Sequence, residues 1–120
     1  MRLDELDTPA LWVDLDIMEA NLDRMARYAA AHGLALRPHI KTHKIPELAR
    51  LQLMRGARGV TSAKVTEAQV MADAGVEDIL LAYPIWGETK WARLRDLSHR
   101  AKVTVATDSE AHAQAMAAAL

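Results

Sequence analysis

Five cationic or imidazole side chains, Arg37, His39, Lys41, His43 and Lys44, fall within one short stretch with no Asp or Glu among them. Two readings fit such a run. One is a solvated basic loop, as most charge runs are. The other is a nucleophilic lysine whose neutral amine is favoured by neighbouring positive charge, so that it can attack a carbonyl carbon. Which applies depends on the elements that hold the stretch.

The chain has 120 residues, half of them apolar, with 15 basic against 16 acidic residues and no cysteine. Such a length suits one small domain. The balanced charge argues against a nucleic-acid binder, because the basic cluster is local rather than a stripe. Lack of cysteine excludes disulfides, thiolate metal sites and cysteine nucleophiles. Neither the N-terminal residues nor any later run resembles a signal peptide or a membrane span, so a cytoplasmic protein is expected. Residues 111–120 read as a helix without a stop signal, which suggests a longer parent sequence.

Alternating strands and helices account for the pattern. Residues 9–15 read as a strand, followed by a helix with Asp16 and Glu19 as its capping box and Gly33 as its C-terminal stop. Residues 34–40 read as a second strand, with Leu34, Leu36, Pro38 and Ile40 on one face and Arg37, His39 and Lys41 on the other. Pro38 weakens that strand by removing a donor. A helix from Pro46, a strand at 58–63, and a helix after Thr66 and Gln69 follow. They are succeeded by a strand at 78–83, an amphipathic helix at 88–100, a strand at 102–107, and a final helix capped by Asp108 or Ser109. The helix methionines Met18, Met25, Met54 and Met71 read as core filler. His32 and His99 read as partners of helix C-termini.

Strict alternation at this spacing predicts an α/β fold with a parallel sheet, either open or closed into a barrel. No Gly-x-Gly-x-x-Gly or Walker pattern follows any strand, which favours the parallel (β/α) barrel. A complete TIM-type barrel has eight units in about 250 residues, so residues 1–120 correspond to about half of one. Active sites of such barrels gather at the C-terminal strand ends. Here those positions hold Lys41 with His39 and Arg37, then Thr61 and Ser62, then Tyr83, then Thr107 and Asp108. Arg37, a full strand turn deeper, could pair with a carboxylate elsewhere in the chain. A Schiff-base lysine among cations suits pyridoxal phosphate, but a sugar-phosphate aldolase or a phosphate-binding barrel fits equally well.

The string Arg37-Pro38-His39-Ile40-Lys41-Thr42-His43-Lys44, with Gly59-Val60-Thr61-Ser62-Ala63-Lys64 and the run from Ala72 to Pro84, closely resembles the D-threonine aldolase and D-serine dehydratase family. The opening Thr8-Pro9-Ala10-Leu11-Trp12-Val13-Asp14-Leu15-Asp16 is similar to that family's N-terminus. These are alanine-racemase-like, fold type III pyridoxal phosphate enzymes. The resemblance implies the N-terminal half of a pyridoxal phosphate-binding (β/α)8 barrel, with the rest of the barrel and a C-terminal β domain absent from this chain. It implies Lys41 as the catalytic, cofactor-bearing lysine, with His39, Arg37, Thr61 and Tyr83 as cofactor-binding candidates. It further implies a D-configured β-hydroxy amino acid as substrate. The chemistry would be retro-aldol cleavage to glycine and an aldehyde, or dehydration to a keto acid and ammonia. A non-catalytic pyridoxal phosphate carrier and an inactive fragment are the alternatives. A divalent metal (Mn, Mg or Zn) bound by residues outside this chain, and a homodimer of the intact enzyme, complete what the resemblance implies.

Overall fold

The structure is a computed structural model that describes residues 2–120; Met1, the first residue of the expected domain, lies outside it. Three parallel strands, β1 (Val60–Ser62), β2 (Asp78–Leu81) and β3 (Lys102–Val105), form a sheet in sequence order. The register aligns Val60 with Ile79 and Val103, and Ser62 with Leu81 and Val105. Helices alternate with them: α1 (Leu15–Ala31), α2 (Pro46–Met54), α3 (Val65–Asp73), α4 (Glu88–Ser98) and α5 (Glu110–Ala119). The expected parallel α/β alternation is therefore present.

Two expected strands are not formed. Residues 9–15 run as exposed irregular chain up to Leu15, where α1 begins, because no neighbouring strand lies alongside to take up their backbone hydrogen bonds. Residues 34–40 pair only at His39, which bridges Thr61 in parallel. This segment still lies beside β1, since the Arg58 N–H donates to the Leu36 carbonyl (2.9 Å) and the Thr61 N–H to the Pro38 carbonyl (2.7 Å). Pro38 offers no N–H in return, and Ile40–Thr42 tightens at once into a 3-10 turn.

Caps moved in the same way. Asp14, not Asp16, starts α1 by accepting the Ile17 N–H. No side chain caps α3, which starts at Val65 ahead of the expected Thr66 and Gln69 box; Glu67 accepts the Ala63 N–H from within the first turn. Ser109 does cap α5, through the His112 N–H. Gly33, Gly56 and Gly75 all take the positive φ that ends a helix.

One face of the sheet, with Ile40, Val60, Ile79 and Leu81, buries against Ala68, Met71, Leu94 and Leu97 of the helices. Of the methionines expected in the core, Met71 is buried, whereas Met54 is 79% and Met25 46% exposed. Helical spacing alone does not tell the core face of a helix from its flank. None of the helices is long and apolar enough to cross a membrane, among the described residues.

Candidate active site

Opposite the helix layer, the other face of the sheet carries the chemistry. Arg37 reaches Asp78 with two hydrogen bonds, Nε to Oδ1 at 2.7 Å and Nη2 to Oδ2 at 3.0 Å, and Arg58 adds a third at 3.2 Å. One strand, β1, separates the two segments, and Gly59 just before it lies between the partners. A Cβ on Gly59 would stand 2.1 Å from the Asp78 carbonyl oxygen, so only glycine fits that point. Hydrogen bonds from Arg37 hold the Asp78 carboxyl below the ordinary aspartate range against the opposing effect of burial, and Arg58 assists. Arg37 is thus tied down by a carboxylate at the N-terminal start of β2.

Two residues further along, His39 lies level with Thr61. Its Nδ1 accepts the backbone N–H of Lys41 at 3.3 Å, which makes His39 a support for the turn bearing Lys41. Thr61 is buried, and its hydroxyl donates to the Arg37 carbonyl at 2.8 Å, fastening the segment to β1. Beyond Ile40 the chain is clamped. Both His43 and Lys44 donate their N–H groups to the Ile40 carbonyl, at 3.2 and 2.7 Å, and the Ile45 N–H donates to His43 Nδ1 at 3.0 Å. Lys44 takes φ +55°, a conformation that costs a non-glycine residue roughly 1 kcal/mol or more.

Lys44 Nζ pairs with Glu67 at 3.0 Å. Burial would raise the Glu67 pKa, but Lys44, the Ala63 N–H and the charge of Lys64 together hold the carboxyl low. Burial favours the neutral form of His43 and lowers its pKa. With Nδ1 used as acceptor, its Nε2 carries the proton and finds no partner and no solvent. Lys41, by contrast, is exposed, and its ammonium has no ion-pair partner among the described residues. Of the cluster's three long cations, two are neutralised by carboxylates distant in sequence and one is left free on a hydrogen-bonded turn that ends the segment beside β1.

Tyr83 goes elsewhere. Two and four residues past Leu81 and Ile79, it shares their parity, packs against the helix-side core, and lines a cavity with residues of α3 and α4 rather than with Lys41. Thr107 also has a structural task, donating to the Ser109 carbonyl and meeting His112 Nδ1 at 2.8 Å. His112 itself was not apparent beforehand. It is fully buried, its Nε2 accepts the Ile85 N–H at 3.1 Å, and it ties the loops after β2 and β3 together. A polar ring amid the alanines of α5 was the one available signal. His32, as expected, meets its own helix end through the Tyr28 carbonyl. No group of three or more His, Asp or Glu residues arranged for a metal occurs among the described residues.

The family profile "Alanine racemase, N-terminal domain" matches residues 13–120. The chain belongs to that family. It is 45% identical over 107 residues to a D-threonine aldolase of Arthrobacter sp., an alignment covering 89% of this chain and 28% of the relative. To a D-threo-3-hydroxyaspartate dehydratase of Delftia sp. (strain HT23) it is 39% identical, over 94% of this chain and 30% of the relative. The crystal structure of D-threonine aldolase from Filomicrobium marinum superposes with a TM-score of 0.94 at 42% identity, over 98% of this chain and 32% of that one. This alanine racemase N-terminal domain chain thus spans about a third or less of the relatives it matches. Its parallel α/β arc is the barrel-type arrangement expected from the strand and helix rhythm.

Proposed function

We propose that the protein is a pyridoxal phosphate-dependent lyase acting on D-configured β-hydroxy amino acids, of the D-threonine aldolase type. In this reading residues 1–120 form the first half of its barrel, and a cytoplasmic homodimer is the working form. The observation that supports it most is the Lys41 side chain, free of any ion pair among the described residues, on a turn whose backbone is held by four hydrogen bonds, inside the string that also carries the sequence likeness. Rigid presentation of one uncommitted amine beside committed cations is what a carbonyl-binding lysine requires.

The residues present fit the cofactor's aldehyde. Lys41 would hold it, and His39 keeps the Lys41 backbone in place through its Nδ1. Thr61 keeps the segment seated on β1. Arg37 is tied to Asp78, so in this reading its contribution is to hold the segment that leads to Lys41 rather than to touch the ligand. Tyr83 lies on the helix side with residues of α3 and α4, and this reading assigns it no contact with the ring. When bound, pyridoxal phosphate supplies an electron sink for charge developing at the substrate Cα. With the cofactor bound, Lys41 Nζ would be the group of these residues to carry a proton to or from the substrate. A divalent metal (Mn, Mg or Zn) polarising the substrate β-hydroxyl would have its ligands outside these residues.

The likeness to the dehydratase supports a second reading, loss of the β-hydroxyl to give a keto acid and ammonia. Incubating the full-length protein with D-threonine and with D-serine decides between them: glycine and acetaldehyde for the first, pyruvate and ammonia for the second. Cofactor bound at stoichiometry with neither product would indicate a carrier. Lys41→Ala is expected to abolish the visible absorbance of bound cofactor, and persistence of that band with turnover would refute the assignment.

A further inference from the structure

We propose that the cavity between the first turns of α3 and α4 is a binding site for a small polyanion bearing phosphate or several carboxylates. Its volume is about 350 Å³, and its polar lining consists of Lys64, Thr66, Tyr83, Lys90 and Arg93. Each of these presents a donor, and three carry a positive charge. No carboxylate lines the cavity, and none of the three cations takes part in an ion pair among the described residues. Glu67 of α3 feels the charge of Lys64 but is paired with Lys44 and accepts the Ala63 N–H.

The arrangement follows from local geometry. Lys90 and Arg93, three residues apart, share one face of α4, while Trp91, Leu94 and Leu97 turn toward the core. Lys64 follows β1 directly, and Tyr83 closes the inner wall as it packs on the same core. Three like charges around one cavity repel each other, and a bound polyanion converts that repulsion into charge-assisted hydrogen bonds, with the guanidinium suited to bidentate contact. The volume lies at the small end of the range for small-molecule sites. No residue from Arg37 to Lys44 lines it, although Thr66 also borders Lys44 and Glu67.

The test is calorimetric titration of the full-length holoprotein at low ionic strength with inorganic pyrophosphate and, separately, with citrate. One saturable site is expected for at least one of them. A response to pyrophosphate alone identifies a phosphate ligand, and a response to citrate alone a carboxylate. Lys90→Ala and Arg93→Ala should each weaken binding about tenfold or more, and the Lys64→Ala/Lys90→Ala/Arg93→Ala protein should not bind. All three side chains are exposed, so the variants should keep the parent's circular dichroism. Lys41→Ala should bind the anion unchanged, which separates this result from the fate of the lyase assignment. Non-saturable heats with both probes, or equal binding by the triple variant, would overturn the proposal.

Discussion

Replacing Asp78 with Asn tests whether the basic stretch is held by its ion pair. The carboxylate accepts two hydrogen bonds from Arg37 and one from Arg58, and the Arg37 and Asp78 side chains are 24% and 12% exposed. Exposed pairs contribute under about 1 kcal/mol, whereas cutting one side of a buried pair costs about 3–5 kcal/mol. The partial exposure places D78N between them, at a loss of about 2 kcal/mol. The pH dependence has a definite sign. Asp78 has a depressed folded-state pKa, so the unfolded chain binds its proton first and the stabilisation is complete above the unfolded value of about 4. It is lost as pH falls through the lower folded value. Urea midpoints of wild type and D78N should therefore differ by a constant amount from pH 7 down to about 5 and converge in more acidic buffers. The difference between the two proteins removes the other carboxylates, Glu67 included, from the comparison. In a double cycle with Arg37→Met, most of the loss should be shared by the two sites. A D78N midpoint equal to wild type at pH 7, or a difference that persists unchanged into acid, would show that the pair does not hold the segment.

Three further outcomes are expected. Gly59→Ala drives a methyl group into the Asp78 carbonyl and should destabilise by about 3 kcal/mol or more, at or past the upper end for overpacking, as read by thermal unfolding. His43 has a lowered folded-state pKa from burial, so its contribution is full above the unfolded value of about 6.5 and lost as pH falls through the folded value; NMR titration of its ring should show the depressed midpoint, and His43→Gln should flatten the stability slope just below pH 6.5. His112→Ala strips the Ile85 N–H of its acceptor and empties a buried volume, costing about 2–4 kcal/mol, and should red-shift the fluorescence of Trp86, whose ring lies 5.1 Å from that of His112.

Much of the fold was readable from local signals. Helix stops at Gly33, Gly56 and Gly75, the Ser109 cap and the β1 to β3 strands follow from backbone freedom, hydrogen-bonding side chains and apolar runs, all of which act within a few residues. The two-residue period also separated Leu36, Pro38 and Ile40 from Arg37 and His39 correctly, because a pleated chain alternates faces whether or not it is paired. Strand status at residues 9–15 and 34–40 was not readable, since a strand exists only with a partner backbone and pairing is a tertiary event.

At the site, the residue types in the stretch from Arg37 to Lys44 were sufficient to nominate an amine nucleophile, and the likeness of the string singled out Lys41. Composition and order determined that much. Which cations stay free was decided only by the folded chain: Asp78 lies 41 positions from Arg37, and Glu67 comes from a helix beyond the next strand, yet each cancels one charge. The packing of Tyr83 on the helix-side core, in a cavity that no residue from Arg37 to Lys44 lines, likewise appears only in the tertiary structure. Coulomb energy depends on distance in space, and sequence separation carries almost no information about that distance once the chain crosses between strands.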